Sequence, residues 1–108
     1  MTAPNSLSGK WVSLRPRSEN WIDFDRNTYF WRPDKDYPDF RAGGRHCTLT
    51  DPRWDDQGQC WIYNWHDNPF RGRLYVYPQA SDDDLIKVFW NNTRQEWQKE
   101  KFRRKEPS

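Results

Sequence analysis

His46-Cys47, Cys60 and His66 are the side chains of this chain best suited to binding a soft metal or attacking an electrophile. Structural zinc sites draw on close ligand pairs such as Cys-x-x-Cys, and no such pair occurs here. The four residues read instead as two buried thiols and two polar imidazoles on neighbouring strands. A thiol nucleophile, Cys47 or Cys60 with His66 as base, would also need an orienting carboxylate, for which Asp51 or Asp67 is available, and an oxyanion donor. Composition supplies such trios in most domains, so an enzyme is the least supported class and no catalytic residue is assigned. Asp82-Asp83-Asp84 lacks the glycine turn of a calcium loop and reads as a solvated turn, as do Asp34-Lys35-Asp36 and Asp55-Asp56. No metal site and no cofactor follow from these patterns.

Rings are the stronger signal. The chain has eight tryptophans, and aromatics make up 18% of it while all hydrophobic residues reach only 33%. Few aliphatic residues remain to fill a core, so rings must do much of that work. Trp61, Tyr63 and Trp65 are spaced by two. On one pleated strand they share a face, with Cys60, Ile62 and Asn64 on the other. Such a face belongs to the core, to a bound ligand or to a partner, because three solvated rings would leave a large apolar patch. If they bind, they offer a stacking surface for a sugar, a base or a flat chromophore. His66, Arg73 and Tyr75 are then expected beside them, with Arg71 and Asn64 as further polar contacts at the rim.

The elements that must position these residues are short strands. Gly9 to Arg15, Asn20 to Phe24 and Asn27 to Trp31 come first, with Asp25-Arg26-Asn27 as a hairpin turn. A Pro- and Asp-rich loop follows over 32–39. Phe40 to Thr50 is the fourth candidate, interrupted by Gly43-Gly44. Asp51 to Gln59 reads as a polar loop, and Cys60 to Trp65 as a clear strand. Arg71 to Tyr77 alternates Leu74 and Val76 against Arg73, Tyr75 and Tyr77, and Asp84 to Trp90 is the next strand. Glu96 to Arg103 is ambiguous, because Trp97 and Phe102 stand an odd number of residues apart and no regular strand puts both on one face. Regular strand spacing without helical patterns predicts an all-β fold, a small antiparallel up-and-down barrel of seven or eight strands. By length the chain is one domain over 1–108, with flexible termini expected at 1–7 and 105–108.

Leu7-Ser8-Gly9-Lys10-Trp11 at the first strand resembles the Gly-x-Trp signature of the calycins, the lipocalin, avidin and fatty-acid-binding barrels. In that family the tryptophan closes one end of the barrel under a basic residue from the last strand. The resemblance implies that Gly9 and Trp11 close this barrel with Arg103 or Arg104 through a cation–π contact. It also implies an interior ligand site, and a barrel of about eight strands either holds one small ligand or is filled by side chains.

The net charge of +2 is too balanced to make nucleic acid the default partner. The basic run Lys99, Lys101, Arg103, Arg104 and Lys105 is diluted by Glu96, Glu100 and Glu106. The N-terminal residues show neither the basic nor the apolar region of a secretory signal, and no apolar run matches a membrane span. The expectation is therefore a cytoplasmic protein whose Cys47 and Cys60 are reduced, with a Cys47–Cys60 disulfide as the alternative in an oxidising compartment. The function these readings favour is non-catalytic binding of a small apolar or aromatic ligand inside a calycin-like barrel. The alternatives are a protein-interaction module with an exposed Trp/Tyr/Arg surface, and a barrel that binds carbohydrate or single-stranded nucleic acid.

Overall fold

The computed structural model describes residues 7–32, 43–79, 84–91 and 95–105. These residues form eight strands: β1 (Lys10–Ser13), β2 (Trp21–Asp23), β3 (Thr28–Trp31), β4 (Arg45–Asp55), β5 (Cys60–Asp67), β6 (Phe70–Pro78), β7 (Asp84–Asn91) and β8 (Glu96–Arg104). Each strand pairs antiparallel with the next, and β1 pairs with β8, so the sheet closes into an up-and-down barrel. The all-β antiparallel barrel predicted from strand spacing is the fold observed. Among the described residues no helix is long and apolar enough to cross a membrane.

Alternation decides what enters the barrel. Ile22 and Phe24, Leu74 and Val76, and Leu85 and Phe102 come from in-phase positions and are buried. Together with Trp11, Tyr29, Cys47, Leu49 and Tyr63 they form one core. In β8, Phe102 is fully buried while Trp97 is 57% exposed. The odd spacing that made this element ambiguous is thus the mark of a regular strand with one ring on each face.

Two expectations need correction. The polar stretch from Asp51 to Asp55 is not loop but the second half of β4. A register shift between Thr50 and Arg53 absorbs Asp51 and Pro52 as a bulge, and Asp51 takes a positive φ of 54°. Asn64 donates to the Asp51 carboxylate at 2.9 Å, which stitches the bulge to β5, and Arg53 donates to the Asp51 carbonyl at 2.7 Å within the bulge itself. The fourth strand also starts later than expected, at Arg45. The predicted loop after Arg32, Phe40, Asp82, Asp83, Glu106 and most of both termini lie outside the described residues. Within the termini, Leu7 packs against the core.

Odd-numbered strands begin at one end of the barrel, even-numbered strands at the other. The first end carries Gly9, the β4–β5 hairpin and Arg104. The second carries the ends of β1, β3, β5 and β7.

Candidate functional site

The first end is closed by Trp11. It lies opposite Arg104 in the β1–β8 register, and the guanidinium carbon stands 4.4 Å from the indole centroid. The indole N–H donates to the Ser8 carbonyl at 3.0 Å, and Arg104 also donates to that carbonyl at 3.4 Å. Gly9 makes the approach feasible. Its φ is +80°, and a Cβ there would sit 3.2 Å from the Arg104 guanidinium, so a side chain would be both strained and crowded. Of the two arginines considered for this closure, Arg104 is the one over Trp11. Arg103 points outward and pairs with Asp84 at 3.3 Å.

Above this closure the interior holds an ion pair. Lys87 is fully buried and Glu100 is 3% exposed, with Nζ and Oε1 3.1 Å apart. The second carboxylate oxygen accepts hydrogen bonds from Ser13 at 2.5 Å and Asn20 at 2.6 Å. Lys87 also donates to the Tyr29 hydroxyl and lies 4.2 Å from the Tyr29 ring centroid and 4.5 Å from that of Phe89. Burial alone would push the Glu100 carboxyl up. The Lys87 ammonium and the hydrogen bonds from Ser13 and Asn20 outweigh it, and the carboxyl sits below its ordinary value. Burial pushes the Lys87 ammonium down, against the pull of Glu100. Lys87 is in phase with Leu85 and Phe89, and Glu100 with Phe102, so strand alternation already marks both charges as inward-facing. Sequence reasoning missed them because a charged residue was read as a surface residue.

The second end is open. A cavity of about 230 Å³ lies there. Tyr29, Cys47, Leu74 and Phe89 come from inside the barrel, while Trp31, Arg45, Phe70 and Trp90 come from strand ends. Trp65 forms one wall, and the space it occupies depends on β6. Gly72 faces Trp65 in register, and a Cβ on Gly72 would fall 2.7 Å from the indole nitrogen. The ring therefore lies against bare backbone and leaves the lumen free. Polar contacts at the rim are few: Arg45, which pairs with Asp67 at 3.2 Å, and the buried Asn91, bonded to Gln98 at 3.3 Å.

The inward face of β5 thus splits along the barrel axis. Trp61 packs edge-on against Trp54 toward the closed end, with centroids 5.7 Å apart. Tyr63 sits in the core 5.4 Å from Phe24, and burial pushes its hydroxyl up to about 12. Only Trp65 lines the cavity. His66, Arg73 and Tyr75 are not beside these rings, because alternation turns them to the outer surface. His66 bonds to Thr50 at 3.0 Å, and Tyr75 packs on Trp97 with centroids 5.7 Å apart.

Alternation also separates the Cys47 thiol from the His46 imidazole, while Cys60 and His66 share the outer face of β5 six residues apart. Cys47 faces inward beside the cavity, while its neighbour His46 packs outside on Phe30 at 4.6 Å. Burial, followed by the Asp67 charge, pushes the Cys47 thiol up to about 12, so at neutral pH it is a protonated wall group and not a nucleophile. Cys60 is buried near the closed end, and burial raises its thiol as well. Both cysteines are free. What the open end can do with these groups is enclose an apolar body and meet it with a few polar atoms.

No family model, no curated protein and no solved structure matches this chain.

Proposed function

We propose that this chain is a non-catalytic binding protein, a calycin-like barrel that holds a small apolar or aromatic ligand at its open end. The observation that carries this reading is the ring-lined cavity of about 230 Å³ at the end opposite the Trp11–Arg104 closure. An apolar cavity of about 150 Å³ suffices for benzene, and drug-sized sites start near 300 Å³. The size suits a ligand of one or two rings. Trp31, Trp65 and Phe89 offer apolar faces, and Arg45 and Asn91 a small number of orienting contacts. The Gly9-x-Trp11 arrangement under Arg104 supports the calycin-like description.

Native mass spectrometry of freshly purified protein, followed by fluorescence titration with a panel of one- and two-ring compounds, tests this. The expected result is saturable one-to-one binding that quenches tryptophan emission. Trp65→Ala should weaken it about thirtyfold, the ~2 kcal/mol of a binding hot spot. Absence of both a co-purified mass and any saturable binding would overturn the reading.

A further inference from the structure

Among the described residues four large apolar side chains remain exposed: Leu14 at 43%, Phe70 at 48%, Trp90 at 41% and Trp97 at 57%. They are scattered in sequence, but the barrel gathers them. β6, β7, β8 and β1 are consecutive around the wall. Phe70 opens β6, Trp90 lies next to the end of β7, Trp97 is second in β8, and Leu14 follows β1. Phe70, Trp90 and Trp97 therefore stand at the open end on three adjoining strands, and Leu14 lies lower on the same side of the wall, its N–H donating to the Lys101 carbonyl at 3.0 Å. Trp90 and Trp97 face each other in register with centroids 5.4 Å apart.

Charge on the same arc has one dominant sign. Arg71 and Arg73 are exposed at the start of β6, Lys99 is exposed in β8, and Arg15 follows Leu14. Arg15 reaches across to the Lys99 carbonyl at 3.3 Å. Against these four cations the described residues of the arc offer one carboxylate, Glu96.

We propose that this arc of Leu14, Phe70, Trp90 and Trp97 with its interleaved cations is a docking face for an anionic lipid surface. Trp and Phe settle at the headgroup level of a bilayer, and Arg and Lys are drawn to its negative phosphates. The arc curves around a rim, and its ring pairs meet edge-on, at 71° and 72° between planes. A soft interface can envelop such a rim, whereas a folded protein would need a matching concave surface. Phe70 and Trp90 are exposed on the arc and also line the cavity, so an apolar molecule leaving the lipid meets a continuous apolar path into the barrel. The face itself stands whether or not the cavity is filled.

The test is sedimentation of the full chain with vesicles of phosphatidylcholine alone and of phosphatidylcholine with phosphatidylserine, with no ligand added. The protein should partition onto the serine-containing vesicles and be released by added salt. Arg71→Gln and Lys99→Gln should each lower the partition coefficient about fivefold, and Trp90→Ala with Trp97→Ala about tenfold or more. Circular dichroism of each variant checks that the barrel is intact. Failure to bind either vesicle, or binding that the ring variants leave unchanged, overturns the proposal. So does a dimer, seen by light scattering, that Trp97→Ala dissolves, since the rings would then face a second copy. None of these results bears on the cavity titration, so lipid docking and ligand binding fail separately.

Discussion

At the closed end of the barrel Trp11 is 2% exposed beneath Arg104, and Ile22, Val76, Leu85 and Phe102 fill the lumen around it. At the open end Trp31, Trp65 and Trp90 surround empty space. Both ends are built from tryptophan, so the residue type does not decide between filling and lining. What stands across from the ring decides. Near the closed end Trp61 meets Trp54 and the branched chain of Val76. At the open end Trp65 meets Gly72, lies flat against the wall and leaves room. Between the two halves, the Lys87–Glu100 pair forms a polar floor whose charges are spent on each other and on Tyr29, Ser13 and Asn20.

The largest effects should come from the filled half. Trp11→Ala should cost about 3–5 kcal/mol, as buried ring truncations do, measured by urea denaturation; a near-neutral result would show that the closed end is not sealed by this ring. Lys87→Met should cost a similar ~3–5 kcal/mol by stranding a buried carboxylate, whereas adding Glu100→Leu should recover most of the loss. If the double variant is no better than the single one, the pair supplies more than mutual neutralisation. Trp65→Ala should cost less stability than Trp11→Ala, because one side of its ring already faces the cavity, and its main effect should appear in ligand titrations. Equal losses at the two positions would abolish the contrast between the ends.

A subtler measurement is the pH dependence of stability. The folded carboxyl of Glu100 lies below its ordinary value of 4.5, so the unfolded chain takes up the proton first as pH falls. Its contribution is complete above pH 4.5 and is lost as the pH drops through the folded value. Acid unfolding followed by tryptophan emission should therefore be blunted in the Lys87→Met/Glu100→Leu variant. The smallest stability effect is expected for Trp97→Ala, within about 0.5 kcal/mol, because its ring is mostly solvated; a larger loss would mean that the outer rings brace the barrel.

Much of the fold was legible because pleated strands impose a period of two that survives in the residue order. Leu74 and Val76, Ile22 and Phe24, and the three rings of β5 all announce their shared faces. The second half of β4 was not legible, because a bulge breaks that period and the residues it carries, Asp51 and Pro52, resemble turn residues. The site was half legible. Trp65 could be named from spacing, but the way β5 divides along the axis depends on Gly72 and Val76, which the strand alone does not disclose. His66, Arg73 and Tyr75 are near in sequence and on the wrong side of the sheet. The mouth arc could not be read, since Phe70, Trp90 and Trp97 come together through the β6–β7–β8 register and Leu14 joins their side of the wall only when β1 closes on β8.

That closure also governs how the chain must fold. The β1–β8 seam joins residues such as Val12 and Arg103 through three paired positions, with Lys105 donating to the Lys10 carbonyl at 2.8 Å. Contacts so distant in sequence are slow to form, because loop-closure entropy is lost before any pairing is gained. During synthesis β1 leaves the ribosome long before β8 exists, so Trp11 must wait for Arg104 with both faces of a growing sheet wet. The β4–β5–β6 hairpins, long and local, are the natural early structure. A nascent chain halted before β8 should bind chaperones through its unsealed rings, and release of the last strand is the step that buries them.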